Sequence, residues 1–148
     1  LWAQLFEVAP RLQPDTLVCF VLTDYGEQTG FANWWRTPLS AGWEASAALR
    51  LLYADPSLQG AVIMPEVVGY GESNLVPTGV QDPWTGNIVP YANTVFLTYD
   101  RVNQQLVVLS DAGHALGLTW PFPDYEPARR IVPGAQPEVA ARYLLTDR

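Results

Sequence analysis

The chain contains no lysine: all eight of its basic residues are arginine. This removes Schiff-base chemistry, pyridoxal phosphate anchoring and the lysine that P-loop enzymes and kinases place on phosphates. Arginine alone suits ion pairs and carboxylate clamps. There is one cysteine, Cys19, so no disulfide can close within the chain. It lies in the run Leu17-Val18-Cys19-Phe20-Val21-Leu22 and reads as a small buried hydrophobe. A catalytic thiolate would need a base and an electropositive setting, and neither is visible nearby. There is one histidine, His114. Zinc usually takes several His or Cys ligands, and one of each, far apart in sequence, predicts no metal site. Positive charge is scarce, with a formal net charge of -7. Sequence-independent binding to nucleic acid needs a cationic face, so nucleic acid is not an expected partner. Anionic membrane surfaces would be repelled for the same reason. No apolar run approaches the roughly 20 residues of a membrane helix. No internal repeat or low-complexity tract is present.

What is present fits one domain of 148 residues, 49% of them hydrophobic, enough for a real core. Leu1 is not methionine, and Leu-Trp-Ala-Gln-Leu-Phe lacks the basic region and cleavage residues of a signal peptide. The chain therefore reads as a piece of a longer protein. Trp2, Leu5, Phe6 and Ala9 have helical spacing, which predicts a helix over 2–9. The run 16–22, apolar on both faces, reads as a buried central strand. Residues 24–35 read as a loop. Thr37-Pro38 opens a helix over 38–53, a capping hydroxyl followed by proline at the first helical position. Trp43, Ala47, Leu51 and Ala48, Leu52 form its apolar stripe. Asp55-Pro56 ends it, and 60–64 is a second apolar strand. Strand, helix, strand makes a βαβ unit with parallel strands and a right-handed crossover. Residues 65–92 show no sustained period; Val67-Val68 and Asn87-Ile88-Val89 could be short strands within them. Residues 94–100 and 105–110 read as a β-hairpin turning near Asn103-Gln104. A proline-rich stretch, 120–137, leads to a last helix over 137–146.

Few motifs carry chemistry. Asp111 stands three residues before His114, with Gly113 and Gly117 beside it, and no helix is recognisable there; this reads as an exposed, adaptable loop. The G-x-S-x-G nucleophile elbow is absent, and Gly69-Tyr70-Gly71-Glu72-Ser73 has the wrong order for it. Gly69-Tyr70-Gly71 with Asn74 also fails the dinucleotide pattern, and no cofactor is implied. Asp124-Tyr125-Glu126 sets two carboxylates two apart, which suits a solvated loop better than a metal or sugar-nucleotide site. Two acids facing across a cleft could run glycoside hydrolysis, but fifteen acidic residues single out no pair. Trp34, Trp35, Trp84 and Trp120 fall in predicted loops, where indoles stack on sugars or sit at interfaces; sealing loops onto the core is the plainer account. Arg129-Arg130 could clamp an anion, though pairing with Asp124 or Glu126 is simpler.

Three stretches also carry a resemblance: Trp2-Ala3-Gln4-Leu5 with Ala9-Pro10-Arg11-Leu12-Gln13-Pro14-Asp15-Thr16-Leu17-Val18; Leu49-Arg50-Leu51-Leu52-Tyr53-Ala54-Asp55-Pro56-Ser57-Leu58-Gln59-Gly60; and the hairpin from Thr94 to Ser110. Together they resemble the extracytoplasmic C-terminal domain of large bacterial polytopic membrane proteins, some of them similar to lipid-linked-sugar glycosyltransferases. The resemblance implies a small α/β domain outside the cytoplasm, with the catalytic acids in the membrane portion, so no active-site residue carries over. The combined expectation is a single α/β domain: a mixed sheet from the parallel pair and the antiparallel hairpin, covered by three helices. The expected role is a non-catalytic accessory domain for interaction or substrate presentation, its partner the parent membrane bundle or a glycan. A carbohydrate-binding module using Trp34, Trp35, Trp84 and Trp120 is the first alternative, and an acidic-residue hydrolase the second. Oligomeric state is not predicted.

Overall fold

Helix α1 (Trp2–Val8) opens the chain and β1 (Arg11–Leu12) follows it. The fold is that of a computed structural model, which describes residues 1–21, 42–63, 74–82, 85–100, 102–118, 120–135 and 137–138. Strand β2 (Leu17–Val21) is buried at every position. Such a strand must be enclosed on both edges and both faces, and it is. Helix α2 (Gly42–Tyr53) connects it to β3 (Gln59–Ile63). Strand β3 runs parallel to β2, pairing Cys19 with Ala61 and Val21 with Ile63. The predicted parallel pair is therefore present. Residues 22 and 64 of its expected ends, and 38–41 of the helix, lie outside the described residues.

Three short strands come next: β4 (Asn74–Val76), β5 (Gly79–Gln81) and β6 (Ile88–Pro90). They form an antiparallel sheet in that order. Strand β6 overlaps the expected strand at 87–89; β4 and β5 were not foreseen, and Val67-Val68 lies outside the described residues. The hairpin is β7 (Thr94–Asp100) and β8 (Gln105–Val108), antiparallel as predicted. Strand β7 also lies parallel to β2, Val18 beside Val95 and Phe20 beside Leu97. The main sheet is thus mixed, in the order β3-β2-β7-β8.

Alternation of side chains along the strands divides the interior into two cores. Val18, Phe20, Val62, Val95 and Leu97 face α1 and α2, and pack with Leu5, Phe6, Ala45, Leu49, Leu52 and Tyr53. Leu17, Cys19, Val21, Ala61, Ile63 and Phe96 face the other way, with Val80 of the small sheet and Tyr91.

Two expectations about the later chain need correction. The segment after β8 is not a loop: Ala112–Ala115 form a short helix, α3, and the Asp111 carboxylate accepts a hydrogen bond from the His114 backbone N–H at 3.0 Å. The acid three positions ahead of His114 is a helix N-cap, and the imidazole itself is exposed. Helix α4 (Pro127–Arg130) has proline in its first turn, where the missing N–H costs nothing. Arg129 pairs with Glu126 as expected. Arg130 instead donates from Nε to Thr16 Oγ1 (3.0 Å) and from Nη2 to the Pro14 carbonyl. It pins β1 to β9 (Ile131–Val132), an antiparallel pair with Arg11 opposite Val132. Of the expected helix 137–146, residues 139–146 lie outside the described residues.

Candidate interaction surface

Helix α2 carries two apolar stripes, and only one is used inside. Ala45, Leu49, Leu52 and Tyr53 are buried against the sheet. Trp43, Ala47 and Leu51, expected as the core stripe, face outward; Trp43 is 70% and Leu51 56% exposed. The cause is steric. A Cβ on Gly60 would stand 2.6 Å from Ala45 Cβ and 2.7 Å from the Ser46 backbone nitrogen. The helix lies so close to β3 that only small side chains fit between them. Ser46 Oγ accepts from the Gly60 N–H at 2.8 Å and lies 2.9 Å from the Gly42 carbonyl. Rotating Trp43 inward would break both the contact and these bonds.

The far end of α2 is equally fixed. The Asp55 N–H donates to the Arg50 carbonyl and the Ala54 N–H to the Leu51 carbonyl. This is the Schellman pattern, with Ala54 in the left-handed region at φ 53°. Arg50 is exposed and its Nε donates to the Leu58 carbonyl at 2.8 Å. Glu44 occupies the first turn, where a negative charge is favoured by the helix dipole. The exposed stripe is therefore a pre-ordered surface, flanked by one charge of each sign. Scattered exposed apolar side chains need no explanation; Leu1, Ile88, Tyr99 and Val102 are such cases, none of them on α2. Trp43, Ala47 and Leu51 at i, i+4 and i+8 on one helix form a continuous strip.

The opposite side of the sheet is sealed by aromatics. Tyr91 stacks on Phe122 at 3.8 Å, and Phe96 packs on Phe122 and Tyr125. The Tyr125 hydroxyl accepts from the Phe96 N–H at 3.2 Å and donates to the Leu109 carbonyl at 2.6 Å. It thus bridges β7 to the chain leaving β8, where the Leu109 N–H already donates to the Phe96 carbonyl. Burial raises the pKa of Tyr125, with the Phe96 N–H opposing it.

Of the candidate ligand-binding tryptophans, Trp34, Trp35 and Trp84 lie outside the described residues. Trp120 is half-buried, and its Nε1 is shielded from solvent without a hydrogen bond of its own. It lies near enough to Tyr91 to oppose the upward push that burial gives that hydroxyl's pKa. The structure does not bring Trp120 to the α2 strip. Asp124 sits in a turn at φ 56°, and Glu126 is engaged by Arg129. Burial pushes the Cys19 thiol well above its ordinary pKa. Among the described residues no group of three or more His, Cys, Asp or Glu side chains is placed to hold a metal. A groove of about 520 Å³ lies at the C-terminal end of α2, between Arg11, Pro14, Tyr53, Asp55 and Pro137. Asp55 is tied there to the backbone and hydroxyl of Ser57.

No protein-family model, curated protein or solved structure matches this chain. The outer strip of α2 was not singled out by sequence reasoning. Its signal was available: twelve helical residues bear more apolar side chains than one face can bury.

Proposed function

We propose that this chain is an accessory domain, not catalytic in itself, that presents the outer face of α2 to a protein partner within an extracytoplasmic membrane-protein assembly. The observation that carries the interaction reading is the rigid apolar strip Trp43-Ala47-Leu51 with Arg50 at its margin. Tryptophan and arginine are the residues enriched where protein interfaces concentrate their energy. A helix already docked by Gly60 and Ser46 loses little freedom on binding, which favours affinity. The membrane setting draws on the sequence resemblance.

The test is site-specific photocrosslinking in the full-length parent protein in its native membrane. A benzophenone side chain at position 43 or 51 gives a discrete adduct, and the same group at exposed Ala128 does not. No adduct at 43 or 51 beyond the Ala128 background removes the interaction reading. A parent reading frame without membrane helices removes the membrane part of it.

A further inference from the structure

We propose that residues 126–135 form a strap that opens as a unit on the Tyr125 anchor, with Arg130 as its latch, and that opening turns β1 into an acceptor edge for an extended peptide. The strap and the α2 strip share no residue. The strap's attachment is uneven. Tyr125, just before it, is fixed to the sheet by two hydrogen bonds and by edge-on contacts with Phe96 and Phe122. From Glu126 to Ala135 no residue is buried. Helix α4 buries nothing, and Pro133, Gly134 and Ala135 are exposed. Ile131 reaches only the rim of the first core, beside Leu12. Strand β9 pairs with β1 over two residues. A segment with so few buried apolar contacts opens locally, well below the free energy that unfolds the core.

Three bonds converge on the latch. The Arg130 carbonyl accepts from the Gln13 N–H at 2.9 Å, its Nε donates to Thr16 Oγ1 at 3.0 Å, and its Nη2 donates to the Pro14 carbonyl. Thr16 has no exposed surface, and its hydroxyl is tied in turn to the Gln13 carbonyl at 2.6 Å. The guanidinium therefore sits on a preformed pair of acceptors. Both are neutral, and Arg130 has no carboxylate partner among the described residues. Neutral acceptors hold a guanidinium less tightly than a carboxylate does, so the latch can release. Once it does, β1 has no other partner strand among the described residues. The Gln13 N–H, the Pro14 carbonyl and Thr16 Oγ1 are then uncovered together. An extended edge with a side-chain pocket at its end is the chemistry of strand addition, in which main-chain bonds give affinity and side chains give specificity. The peptide that fits carries an arginine followed by a β-branched residue. Its backbone replaces β9, its guanidinium takes the Thr16 and Pro14 acceptors, and its branched side chain takes the place of Ile131 beside Leu12. The strap is thus an internal competitor for its own docking edge.

Amide hydrogen exchange of the whole chain tests the opening. The Gln13 amide, bonded to the strap, exchanges at least tenfold faster than the Val18 and Phe20 amides of β2. Arg130→Met speeds the Gln13 amide by a further tenfold or more and leaves Val18 and Phe20 unchanged; Arg130→Lys, a point charge without the fork, falls between. Arg11 and Val132 face each other across the ribbon, at a separation a disulfide spans. The one native thiol, Cys19, is fully buried, so Arg11→Cys with Val132→Cys can be oxidised selectively, and the closed strap then slows Gln13 to the rate of β2. The probe for the edge is a synthetic peptide with the sequence of residues 126–135. It shifts the Leu12 and Gln13 signals of the Arg130→Met chain saturably and leaves the disulfide-closed chain untouched. The same peptide with methionine in place of the second arginine does not bind. A wild-type Gln13 amide that exchanges only as fast as Val18 and Phe20 overturns the opening. An Arg130→Met chain that opens but ignores the peptide overturns the acceptor edge, as does equal binding of the methionine peptide.

Discussion

The Tyr125 hydroxyl gives the most direct test of how the β7–β8 end is held. Phenylalanine at this position keeps the ring, which meets Phe96 at 5.6 Å and Phe122 at 6.0 Å, both edge-on. The apolar packing is therefore unchanged, and only two hydrogen bonds are lost. One leaves the Phe96 N–H, on a residue with no exposed surface, without a partner; the other frees the half-buried Leu109 carbonyl. An unsatisfied buried backbone group costs about 1–3 kcal/mol. Water can reach the Leu109 carbonyl in part, so Tyr125→Phe should cost about 2–4 kcal/mol in total. With a urea m-value of about 2 kcal/mol/M for a domain of this size, the midpoint falls by about 1–2 M. Tyr91→Phe provides the comparison. It removes one bond, from the Tyr91 hydroxyl to the Val76 carbonyl at 2.7 Å, and should cost about 1 kcal/mol. Urea unfolding followed by tryptophan fluorescence reads both, and the Phe96 amide should exchange faster in the Tyr125 variant. A Tyr125→Phe change below about 0.5 kcal/mol with unchanged m-value would refute the bridging role.

Gly60→Ala should destabilise by at least about 2 kcal/mol, because its Cβ meets backbone of α2 that cannot yield. Gly113→Ala, whose Cβ would meet Phe122 and the Trp120 carbonyl at an ordinary 3.5 Å, should lie within about 0.5 kcal/mol of wild type in the same urea assay. Ala54→Gly relieves a left-handed alanine and should raise stability by about 0.5–1 kcal/mol; an unchanged midpoint would reject the strain. Burial raises the pKa of Tyr53 and Tyr125 above the usual tyrosine value. The unfolded chain releases these protons near pH 10 and the folded chain holds them. Stability is therefore intact below about pH 10 and falls above it, by about 1.4 kcal/mol per pH unit for each group. A pH series of denaturant midpoints that stays flat from 9 to 11 would contradict this.

The parts of the fold legible in the sequence are those where local pattern and global position agree. Leu17 to Val21 reads as a central strand because nothing polar interrupts it, and β2 does lie between two parallel partners. The hairpin is legible from its alternation, and its turn is locked by Asp100, whose carboxylate accepts from the Asn103 side chain and backbone and from the Val102 N–H. Those bonds hold the Asp100 pKa below its ordinary value. The strands β4 and β5 are three residues each, too short for any periodicity to register. The ribbon β1–β9 joins residues about 120 apart through Arg130, and no local signal marks such a pairing. At Asp111 and His114 the sequence spacing was informative, but for a cap on a single helical turn and not for a loop.

The orientation of α2 is the instructive failure, because it decides the functional reading. Hydrophobicity favours burying Trp43, the largest side chain on the helix, and periodicity permits it. What decides is the space between two backbones. Gly60 in β3 has no side chain, and Ala45, Ser46 and Gly42 are the small residues of α2 that meet it. Small-on-small contact brings helix and sheet close enough for Leu49 and Leu52 to fill the first core, and Ser46 satisfies the Gly60 N–H. A tryptophan in that gap would push the layers apart and leave the Gly60 N–H unpaired. Close packing and a satisfied hydrogen bond thus outweigh the transfer of one indole from water. The indole is left outside on a rigid helix, at a position where removing it should cost the isolated domain little. Trp43→Ala therefore discriminates between structure and function: the urea midpoint should move by less than about 0.5 kcal/mol, while the crosslink at position 51 should be lost. A large loss of stability would show that the ring serves the fold, and the interaction surface would have to be sought elsewhere.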